Sequence, residues 1–458
     1  MHPSLVNRVI FPLHEWLKGK PTHARLKEIE RTQWLDPEAL RELQFRRLRR
    51  HLEFAYREVP YYTRLLDEHE LQPSRVKDFT DFARIPFLTK EIMRKHFQDL
   101  QPRTALRGVK RMSTGGSTGV PVTFLVDPER NAFTDAARLR VHRWYNVDMG
   151  AREIVLWGSS IELTRQDIVR KIRDRLVNSR LLSAFDLGEA SMARYAKLLR
   201  RDRPQKLHGY SSALYLFASY LNQRGWSPEP GWPRVAFATA EPLFDFQRTM
   251  IQSTFGCPVA VEYGSREAGL VADECPSRNL HIHAEGMVVE IAQTGNGGGS
   301  GELIVTNLDS YAMPIIRYRT GDIGVLDDSH CRCGRGLPLL RSIEGRRTDF
   351  LVTPDGKVMH ALAVIYILRE VSSIREFQVL QERLDHLNVT IVPDGGFSPA
   401  ISAKITAQLE RLFEGRVSVD IELVESIARP VSGKHRYVIS QVADEFLKQL
   451  ISTPGKRT

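Results

Sequence analysis

Apolar residues recur at helical spacing between residues 35 and 58. Phe45, Leu48, Leu52 and Ala55 fall at i, i+3, i+7 and i+10, which places them on one face of a helix with 3.6 residues per turn. A cluster of arginines occupies the other faces of this helix. We interpret the cluster as a solvated helix face in preference to a nucleic-acid-binding surface.

From about residue 110 onward, short runs rich in β-branched residues alternate with helical patterns. The strand candidates are Pro121–Val126, Ile154–Trp157, Arg234–Thr239, Val259–Tyr263, Met287–Ile291 and Glu302–Asn307. The helix candidates between them include Ser212–Gln223 and Leu243–Thr254. This alternation predicts an α/β fold with substantial parallel sheet.

The pattern changes near residue 345. The run 353–356, Thr-Pro-Asp-Gly, lies between two short apolar runs and is typical of a β-hairpin turn. The pattern then predicts helix 361–371, strands 376–380 and 386–392, helix 398–413 and strand 417–424. We therefore expect a large domain of residues 1–345, opened by a helical lead-in of residues 1–109, and a small α+β domain of residues 346–458.

Composition narrows the class of protein. The chain has 458 residues, 42% hydrophobic and 26% charged, as in soluble globular proteins, and its four cysteines are too few for a disulfide-built fold. No stretch approaches about 18 uninterrupted apolar residues, so no stable membrane insertion is expected. Arg8, His14 and Glu15 interrupt the first apolar run, which makes it a poor signal peptide. We expect an ordinary first helix, in preference to one lying on a membrane, and a cytoplasmic protein.

The charge balance suggests an anionic partner. The chain contains 65 Lys and Arg against 55 Asp and Glu, a formal net charge of +10. Nucleic acid, a membrane surface and a phosphorylated substrate all fit such a charge. The sequence contains no nucleic-acid-binding module and no basic patch interleaved with aromatic residues, so we expect no nucleic-acid partner. The oligomeric state stays open.

Glycines and hydroxyl residues are concentrated in the run 113–119, Ser-Thr-Gly-Gly-Ser-Thr-Gly. Glycines let the backbone approach an anion, and N–H and hydroxyl groups donate hydrogen bonds to it. No lysine follows at the position that a Walker loop requires. On its own, the run fits either a phosphate-binding loop or an ordinary turn.

Three further motifs place a charged side chain in or beside a turn. Glu267 follows the predicted strand Val259–Tyr263, at the strand end where ligands bind in open α/β sheets, and it could hold Mg²⁺ against phosphate oxygens. Asp322, after Gly321, could accept hydrogen bonds from ribose hydroxyls. Lys434, in a basic loop, could bring positive charge to a developing anion. The alternative for each is an ordinary solvated turn.

In this order, the motifs resemble those of the phenylacetate–CoA ligase family of adenylate-forming enzymes, and the chain looks like the capsule-biosynthesis-associated branch of that family. The resemblance covers nearly the whole chain. It also rests on the runs 59–62 (Val-Pro-Tyr-Tyr), 85–90 (Ile-Pro-Phe-Leu-Thr-Lys), 240–242 (Ala-Glu-Pro), 313–322 and 433–434. It implies a large α/β domain with mixed and parallel sheets flanked by helices, and a small mobile α+β domain.

The resemblance implies a two-step reaction. ATP and a carboxylic acid, an aryl or arylacetic acid by family expectation, form an acyl-adenylate and pyrophosphate with the help of Mg²⁺. A thiol, usually coenzyme A, then displaces AMP. Because a carboxylate attacking a phosphate is an anion meeting an anion, catalysis of the first step is mostly positioning and electrostatic stabilisation by Mg²⁺, N–H donors and a lysine.

The resemblance also implies a role for each motif residue. Lys434, Glu267 and Thr118 are the implied catalytic side chains, with Glu267 as the magnesium ligand. The implied nucleotide-binding positions are Ser113, Thr114, Gly115, Gly116, Ser117 and Gly119 for the phosphates, Ala240, Glu241, Pro242 and Tyr263 around the adenine, Asp322 and Arg346 at the ribose, and also Gly264 and Ser265. Arg317 and Arg319 are further candidate cations near the nucleotide. Tyr210, Phe237, Ala238 and Thr239 are expected to border the acyl pocket.

The cysteines suggest a metal site. Cys331 and Cys333 form a tight pair, and Cys275 and His281 lie upstream. Thiolates and imidazole are zinc ligands, and a set of three cysteines and one histidine would close a tetrahedral structural site. Some members of the resembled family carry this set, which favours structural Zn²⁺ over free thiols. The alternative imidazole ligands are His283 and His330.

The sequence departs from the resembled family after Arg346. Thr348 replaces the usual hinge acid, only Asp349 remains of the acidic pair, and the usual glycine near the pantetheine tunnel is not obvious. Adenylation is thus better supported than coenzyme A as the acceptor, which could also be an amine or a carrier thiol. The alternatives are an adenylyltransferase or amide-forming ligase in polysaccharide or coenzyme biosynthesis, and a catalytically silent interaction protein.

Overall fold

The computed structural model of the chain describes residues 2–114, 122–157, 173–184, 187, 189–227, 229–293, 300–346, 350–355, 358–360, 362–428 and 436–442. Its helices are α1 (Pro3–Leu5), α2 (Phe11–Leu17), α3 (Thr22–Thr32), α4 (Pro37–Glu58), α5 (Pro60–Glu68), α6 (Phe79–Phe82), α7 (Lys90–Lys95), α8 (Pro128–Trp144), α9 (Glu189–Asp202), α10 (Ser211–Gln223), α11 (Asp245–Phe255), α12 (Leu362–Arg369) and α13 (Pro399–Leu412), with a π-helical turn (Val6–Ile10) between α1 and α2.

The strands are β1 (Lys110–Ser113), β2 (Thr123–Val126), β3 (Glu153–Trp157), β4 (Ser179–Ser183), β5 (Lys206–Tyr210), β6 (Val235–Thr239), β7 (Val259–Ser265), β8 (Gly269–Glu274), β9 (Leu280–Ile282), β10 (Met287–Gln293), β11 (Ser300–Asn307), β12 (Ile315–Asp327), β13 (Leu339–Arg346), β14 (Phe350–Val352), β15 (Val358–His360), β16 (Ile374–Arg383), β17 (His386–Pro393), β18 (Ser418–Leu423) and β19 (Val438–Ser440).

An eleven-stranded mixed sheet forms the framework, in the order β10-β11-β12-β13-β9-β8-β7-β6-β5-β3-β4. The strands from β4 to β7 lie side by side and run parallel, whereas the pairs from β7–β8 to β10–β11 are antiparallel. Every residue of β6 is buried, as expected for a parallel strand covered on both faces. The predicted α/β fold with mixed and parallel sheets is confirmed.

Local signals account for the ends of the helices that the periodicity predicts. Asp36 caps α4 by accepting a hydrogen bond from the Ala39 N–H at 2.8 Å, and Pro37 takes the first helical position. Helix α11 begins at Asp245 and ends at Phe255, and the following Gly256 caps it with a φ of +63°.

The arginine cluster of α4 is only partly a solvated face. The Arg46 and Arg49 side chains are more than half exposed. Arg47 is instead mostly buried, pairs with Glu28 and donates a hydrogen bond to the Glu285 carbonyl at 2.8 Å. This arginine therefore fastens α4 to α3 and to the chain before β10.

A second sheet, in the order β18-β17-β16-β19, has its own apolar core with α12 and α13. Phe377 and Leu409 are fully buried in this core. The hairpin of β14 and β15 pairs separately, at the place where the Pro-Gly turn signal predicts it. The Gln247 amide donates a hydrogen bond to the Tyr437 hydroxyl at 3.2 Å, so the two sheets are linked through α11. The domain boundary at residue 345 falls within β13 and stays a prediction.

A buried polar network joins the helical lead-in to the large sheet. Arg140 on α8 is fully buried, and its guanidinium donates hydrogen bonds to the Glu285 carboxylate at 2.5 Å and to the Ile29 carbonyl at 3.0 Å. It also lies 2.7 Å from Nδ1 of His283, whose Nε2 is 2.6 Å from Asp273. Burial lowers the pKa of His283 to about 3, so the neutral ring accepts from Arg140 and donates to Asp273.

Replacing Glu285 with alanine will destabilise the fold strongly, because Arg140 is left buried without its carboxylate. We expect a loss of about 3–5 kcal/mol in the free energy of unfolding, measured by urea titration. The control is Glu53→Ala, which removes the exposed Arg49–Glu53 ion pair of α4 and should cost under about 0.5 kcal/mol. Equal losses in the two variants would contradict a structural role for the buried network.

Candidate functional site

The candidate site lies at the carboxyl ends of two parallel strands. Strands β6 and β7 are adjacent, with Thr239 opposite Glu262, so the chain leaves both strands at the same edge of the sheet. The run 240–242 follows β6, and the turn that carries Glu267 follows β7. In open α/β sheets this edge is where ligands bind.

Tyr263 and Asp322 are in direct contact. The Tyr263 hydroxyl donates a hydrogen bond to Oδ2 of Asp322 at 2.9 Å, which orients that carboxylate. Asp322 lies directly opposite Arg346 in the antiparallel pair of β12 and β13. The preceding Gly321 has a φ of +79°, a conformation that glycine adopts without strain. The fold thus brings together three positions predicted to hold a nucleoside.

Glu267 is buried and held by two residues from distant parts of the chain. The Tyr318 hydroxyl donates a hydrogen bond to Oε1 of Glu267 at 2.9 Å, and the Lys90 ammonium lies 4.0 Å from the same oxygen. Tyr318 and Lys90 lie within the runs 313–322 and 85–90, but their residue types alone predict no role for either side chain at the site. A backbone link between their two chain segments brings these side chains together. The Leu88 N–H donates a hydrogen bond to the Arg317 carbonyl, and the Leu88 carbonyl accepts one from the Arg319 N–H.

Hydrogen bonds and close packing hold the turn that carries Glu267. Ser265 Oγ accepts a hydrogen bond from the Ala268 N–H at 2.9 Å, and Asn307 donates to the Ala268 carbonyl at 2.7 Å. The backbone packs closely at Gly264, where an added Cβ would stand 2.4 Å from the Gly269 carbonyl oxygen. Glycine at this position lets the strand and the returning chain approach each other.

The run 240–242 enters the site through an unusual conformation. Ala240 has a φ of +67°, which is uncommon for a residue with a Cβ. The Glu241 carboxylate accepts a hydrogen bond from the Ser212 N–H at 2.9 Å, at the N-terminus of α10. A carboxylate is favourable there because the unpaired N–H groups carry partial positive charge. The Glu241 side chain thus ties this run to α10.

Arg317 and Arg319, the further candidate cations, have protein partners. Arg317 forms a two-pronged pair with Glu290 at 3.0 Å and also donates to the carbonyls of Ala83 and Ile85. Arg319 pairs with Glu302 at 2.9 Å. These guanidinium groups therefore fasten strands and the 83–88 segment together, and their role as cations near the nucleotide stays a prediction.

Several predicted site residues lie outside the described part of the chain. These are Gly115, Gly116, Ser117, Thr118 and Gly119 of the phosphate loop, Lys434, and the hinge positions Thr348 and Asp349.

The two ends of the phosphate loop are described. The Thr114 N–H donates to the Val122 carbonyl at 3.0 Å, and the Val122 N–H donates to Thr114 Oγ1 at 2.9 Å. The Arg266 guanidinium donates to the Ser113 carbonyl at 3.3 Å. The loop therefore starts beside the turn that carries Glu267.

The residues expected to border an acyl pocket are mostly core. Tyr210, Phe237 and Ala238 are each about 1% exposed. The Phe237 ring packs on Tyr145, with centroids 5.6 Å apart, and Thr239 Oγ1 donates to the Glu262 carbonyl at 3.0 Å. Through these contacts, the Phe237 and Ala238 side chains of β6 pack in the core.

The four predicted metal ligands converge. The ligand atoms of Cys275, His281, Cys331 and Cys333 all lie within 4.8 Å of one another. The sulfur atoms of Cys275 and Cys331 are 3.6 Å apart, and Cys333 Sγ lies 3.2 Å from His281 Nε2. In a tetrahedral zinc site with Zn–S of about 2.3 Å and Zn–N of about 2.0 Å, these edges are about 3.5–3.8 Å. The donor set and its spacing fit a tetrahedral metal.

The surroundings of the cluster prepare its ligands. His281 Nδ1 lies 3.3 Å from the Leu337 carbonyl, so it carries the proton and Nε2 faces the sulfur atoms. Burial lowers the pKa of His281 to about 4 and raises the pKa of the Cys275 thiol to about 12. Burial of the Cys331 thiol acts to raise its pKa. The hydrogen bonds that Cys333 and Asn279 donate to its sulfur have the larger effect, so the pKa of this thiol is lowered. The neutral imidazole is competent as a ligand, whereas a Cys275 thiolate needs a cation beside it.

Comparison with known proteins finds protein CapK and phenylacetate-coenzyme A ligases among the proteins similar to this chain. Residues 351–441 match the family model of the CapK C-terminal domain. The chain is 24% identical over 445 residues to protein CapK of Staphylococcus aureus, covering 93% of this chain and 94% of CapK. It is 26% identical over 373 residues to the phenylacetate-coenzyme A ligase of Thermus thermophilus, covering 76% and 80%.

A comparison of the fold with solved structures agrees with the sequence comparison. The chain superposes on a crystal structure of 2-hydroxyisobutyryl-CoA ligase, in complex with R3-HIB-AMP in the postadenylation state, with a TM-score of 0.72. The identity is 19%, and the match covers 93% of this chain and 94% of that one. The resemblance to the phenylacetate–CoA ligase family of adenylate-forming enzymes is confirmed.

Replacing Gly264 with alanine will displace the turn that carries Glu267, because the added Cβ meets backbone that cannot yield cheaply. We expect a loss of about 1–3 kcal/mol in the free energy of unfolding, measured by urea titration. Gly395→Ala is the matched control, since nothing lies within 4 Å of a Cβ added there. An unchanged stability for Gly264→Ala would show that the turn relaxes freely.

Proposed function

We propose that this protein is an AMP-forming ligase, which activates a carboxylic acid with ATP and transfers the acyl group to an acceptor thiol such as coenzyme A. The observation that carries the proposal is one edge of the sheet, where the Tyr263–Asp322 pair, the Glu267 turn and the ends of the 113–122 segment meet in an adenylate-forming fold. The phenylacetate-coenzyme A ligases among its relatives support this chemistry, with an aryl or arylacetic acid as the substrate class.

In the first step, a carboxylate oxygen of the acid attacks the α-phosphorus of ATP, and the bond from that phosphorus to the bridging oxygen breaks. Pyrophosphate leaves. Glu267, held by Tyr318, is positioned to bind the Mg²⁺ that accompanies ATP. Asp322 is positioned to accept hydrogen bonds from the ribose, and Lys434 supplies positive charge to the crowded phosphates.

In the second step, the acceptor sulfur attacks the acyl carbon, the acyl–phosphate bond breaks, and AMP leaves. An amine acceptor is the second candidate, because the sequence departs from the phenylacetate–CoA ligase pattern after Arg346, where Thr348 replaces the usual hinge acid. An adenylyltransferase that stops after the first step would leave AMP on its substrate.

A pyrophosphate-release assay with a panel of carboxylic acids, and with coenzyme A or amines as acceptors, tests this proposal. We expect acid-dependent release of pyrophosphate, and AMP release when the right acceptor is added. Lys434→Ala should lower acid-dependent ATP–pyrophosphate exchange by about 100-fold or more while ATP binding stays, because the lysine acts on the transition state.

The matched control for this experiment is Lys404→Ala on α13, which changes an exposed lysine of the same C-terminal segment. Exchange at the wild-type rate in Lys434→Ala would remove the assignment of the catalytic lysine. Absence of pyrophosphate release with every acid would favour a silent interaction protein.

We further propose that Cys275, His281, Cys331 and Cys333 hold a structural zinc ion. The four protein ligands close a tetrahedron, which suits a structural zinc rather than a catalytic one. Bound zinc would neutralise thiolates that burial otherwise disfavours, and it would link the chain after β8 to the chain between β12 and β13. Its contribution would be to stability.

Elemental analysis of protein purified without chelators should find one zinc per chain. Cys333→Ser should lose the zinc and lower the melting temperature, whereas Cys257→Ala should keep the zinc because Cys257 lies outside the cluster. Protein without zinc, or loss of zinc in both variants alike, would remove the metal site.

A further inference from the structure

The first helical segment, residues 3–17, carries an unusual concentration of exposed apolar side chains. Ten large hydrophobic residues are exposed in the described part of the chain, and five of them lie on this segment. They are Leu5, Val9, Leu13, Trp16 and Leu17. The spacing of three and four residues places them along one side of a helix. Trp16, the largest, is 74% exposed.

The opposite side of the segment is anchored to the body of the protein. Val6 and Phe11 are buried, and the Asn7 amide donates to Asp148 at 3.0 Å. Lys20, just beyond the helix, pairs with Asp135 of α8 at 2.6 Å. The helix therefore has a fixed orientation, and its apolar stripe faces away from the protein.

The exposed charges on the segment itself are basic, whereas the nearby carboxylates of Asp135 and Asp148 pair with Lys20 and Arg143. Arg8 and Lys18 are exposed, whereas Glu15, the one acidic residue between positions 2 and 20, is buried and accepts a hydrogen bond from Thr22. Burial and the neighbouring charges of Lys110, Lys20 and Arg173 lower the pKa of Lys18, which shows how closely these cations gather. The exposed Met112 of β1 borders the same cavity as Lys18 and Lys110, so apolar and basic groups continue beyond the helix.

We propose that this surface, the apolar stripe of residues 5–17 with its basic border, docks the protein on a membrane that contains anionic lipids. A helix in such a position lies in the interface plane, with leucine and tryptophan among the acyl chains and lysine and arginine beside the headgroups. Among the described residues, the helices lack the combination of length and hydropathy that a membrane span requires.

Charge favours an anionic membrane over two other occupants of the stripe, a second copy of this chain and the chain's own residues 443–458. A second copy of this chain, packed stripe to stripe, would bring Arg8 and Lys18 toward the same cations of its partner, and like charges repel. Residues 443–458 of this chain contain two acidic and three basic side chains, which gives them no charge complementarity to a basic border. An anionic lipid surface complements both the apolar stripe and its border.

Vesicle sedimentation tests the proposal with the full chain. We expect binding to phosphatidylcholine vesicles that contain phosphatidylserine, much weaker binding to phosphatidylcholine alone, and release as salt concentration rises. Leu13→Asp should lower the partition coefficient by about tenfold or more, because it puts a charge into the apolar stripe. The matched control is Leu423→Asp on β18, since both leucines are 53% exposed.

A double variant, Arg8→Gln with Lys18→Gln, tests the basic border without touching the apolar stripe. It should weaken binding to the anionic vesicles, whereas Arg49→Gln on α4 should not. Melting curves of all variants report folding. Equal vesicle binding by Leu13→Asp and the wild type would overturn the proposal. A dimer in light scattering that Leu13→Asp dissociates, without vesicle binding, would assign the stripe to a second copy, and vesicle binding that appears only after removal of residues 443–458 would assign it to that segment.

Discussion

The buried charge of Arg140 is the constraint on which the arrangement of the lead-in helices and the large sheet depends. A charged group removed from water is stable only when partners surround it, and here the partners of Arg140 come from α3 and from the chain between β9 and β10. Glu285 can meet the guanidinium only if that chain lies against α8. The neighbouring Gly286 permits this approach, because a Cβ there would stand 2.4 Å from the Phe133 ring. The network thus sets the distance between the helical layer and the sheet.

The same contacts reach the metal-ligand cluster. Trp144, one turn after Arg140 on α8, packs edge-on against the His281 ring and donates to Gln33 at 3.0 Å. The Gly336 N–H donates to the Gln33 carbonyl at 2.9 Å, just after the Cys331–Cys333 pair. The helical lead-in is therefore part of the scaffold that holds the cysteine loop. It is not an appendage to the large domain.

Local patterns were enough to predict elements in both parts of the chain, because short-range contacts fix the ends of those elements, but they missed others such as α8 and β12. The Asp36-Pro37 start of α4 and the Gly256 end of α11 are examples. Residue types and family resemblance predicted which residues form the phosphate loop, the strand ends near the site and the cysteine set. The partners of Glu267 could not be predicted in this way, because Lys90 and Tyr318 meet only through a pairing between chain segments more than 200 residues apart. The protein partners of Arg317 and Arg319 likewise depend on tertiary structure, and composition gives no hint of them.

The hydrogen bonds between Thr114 and Val122 tie the two ends of the phosphate loop to each other. Through Arg266, which donates to the Ser113 carbonyl, the first end is also tied to the turn that carries Glu267. The positions of both ends therefore depend on contacts made outside residues 115–121. Substitutions confined to those residues are expected to leave the strands that carry Tyr263 and Asp322 in register.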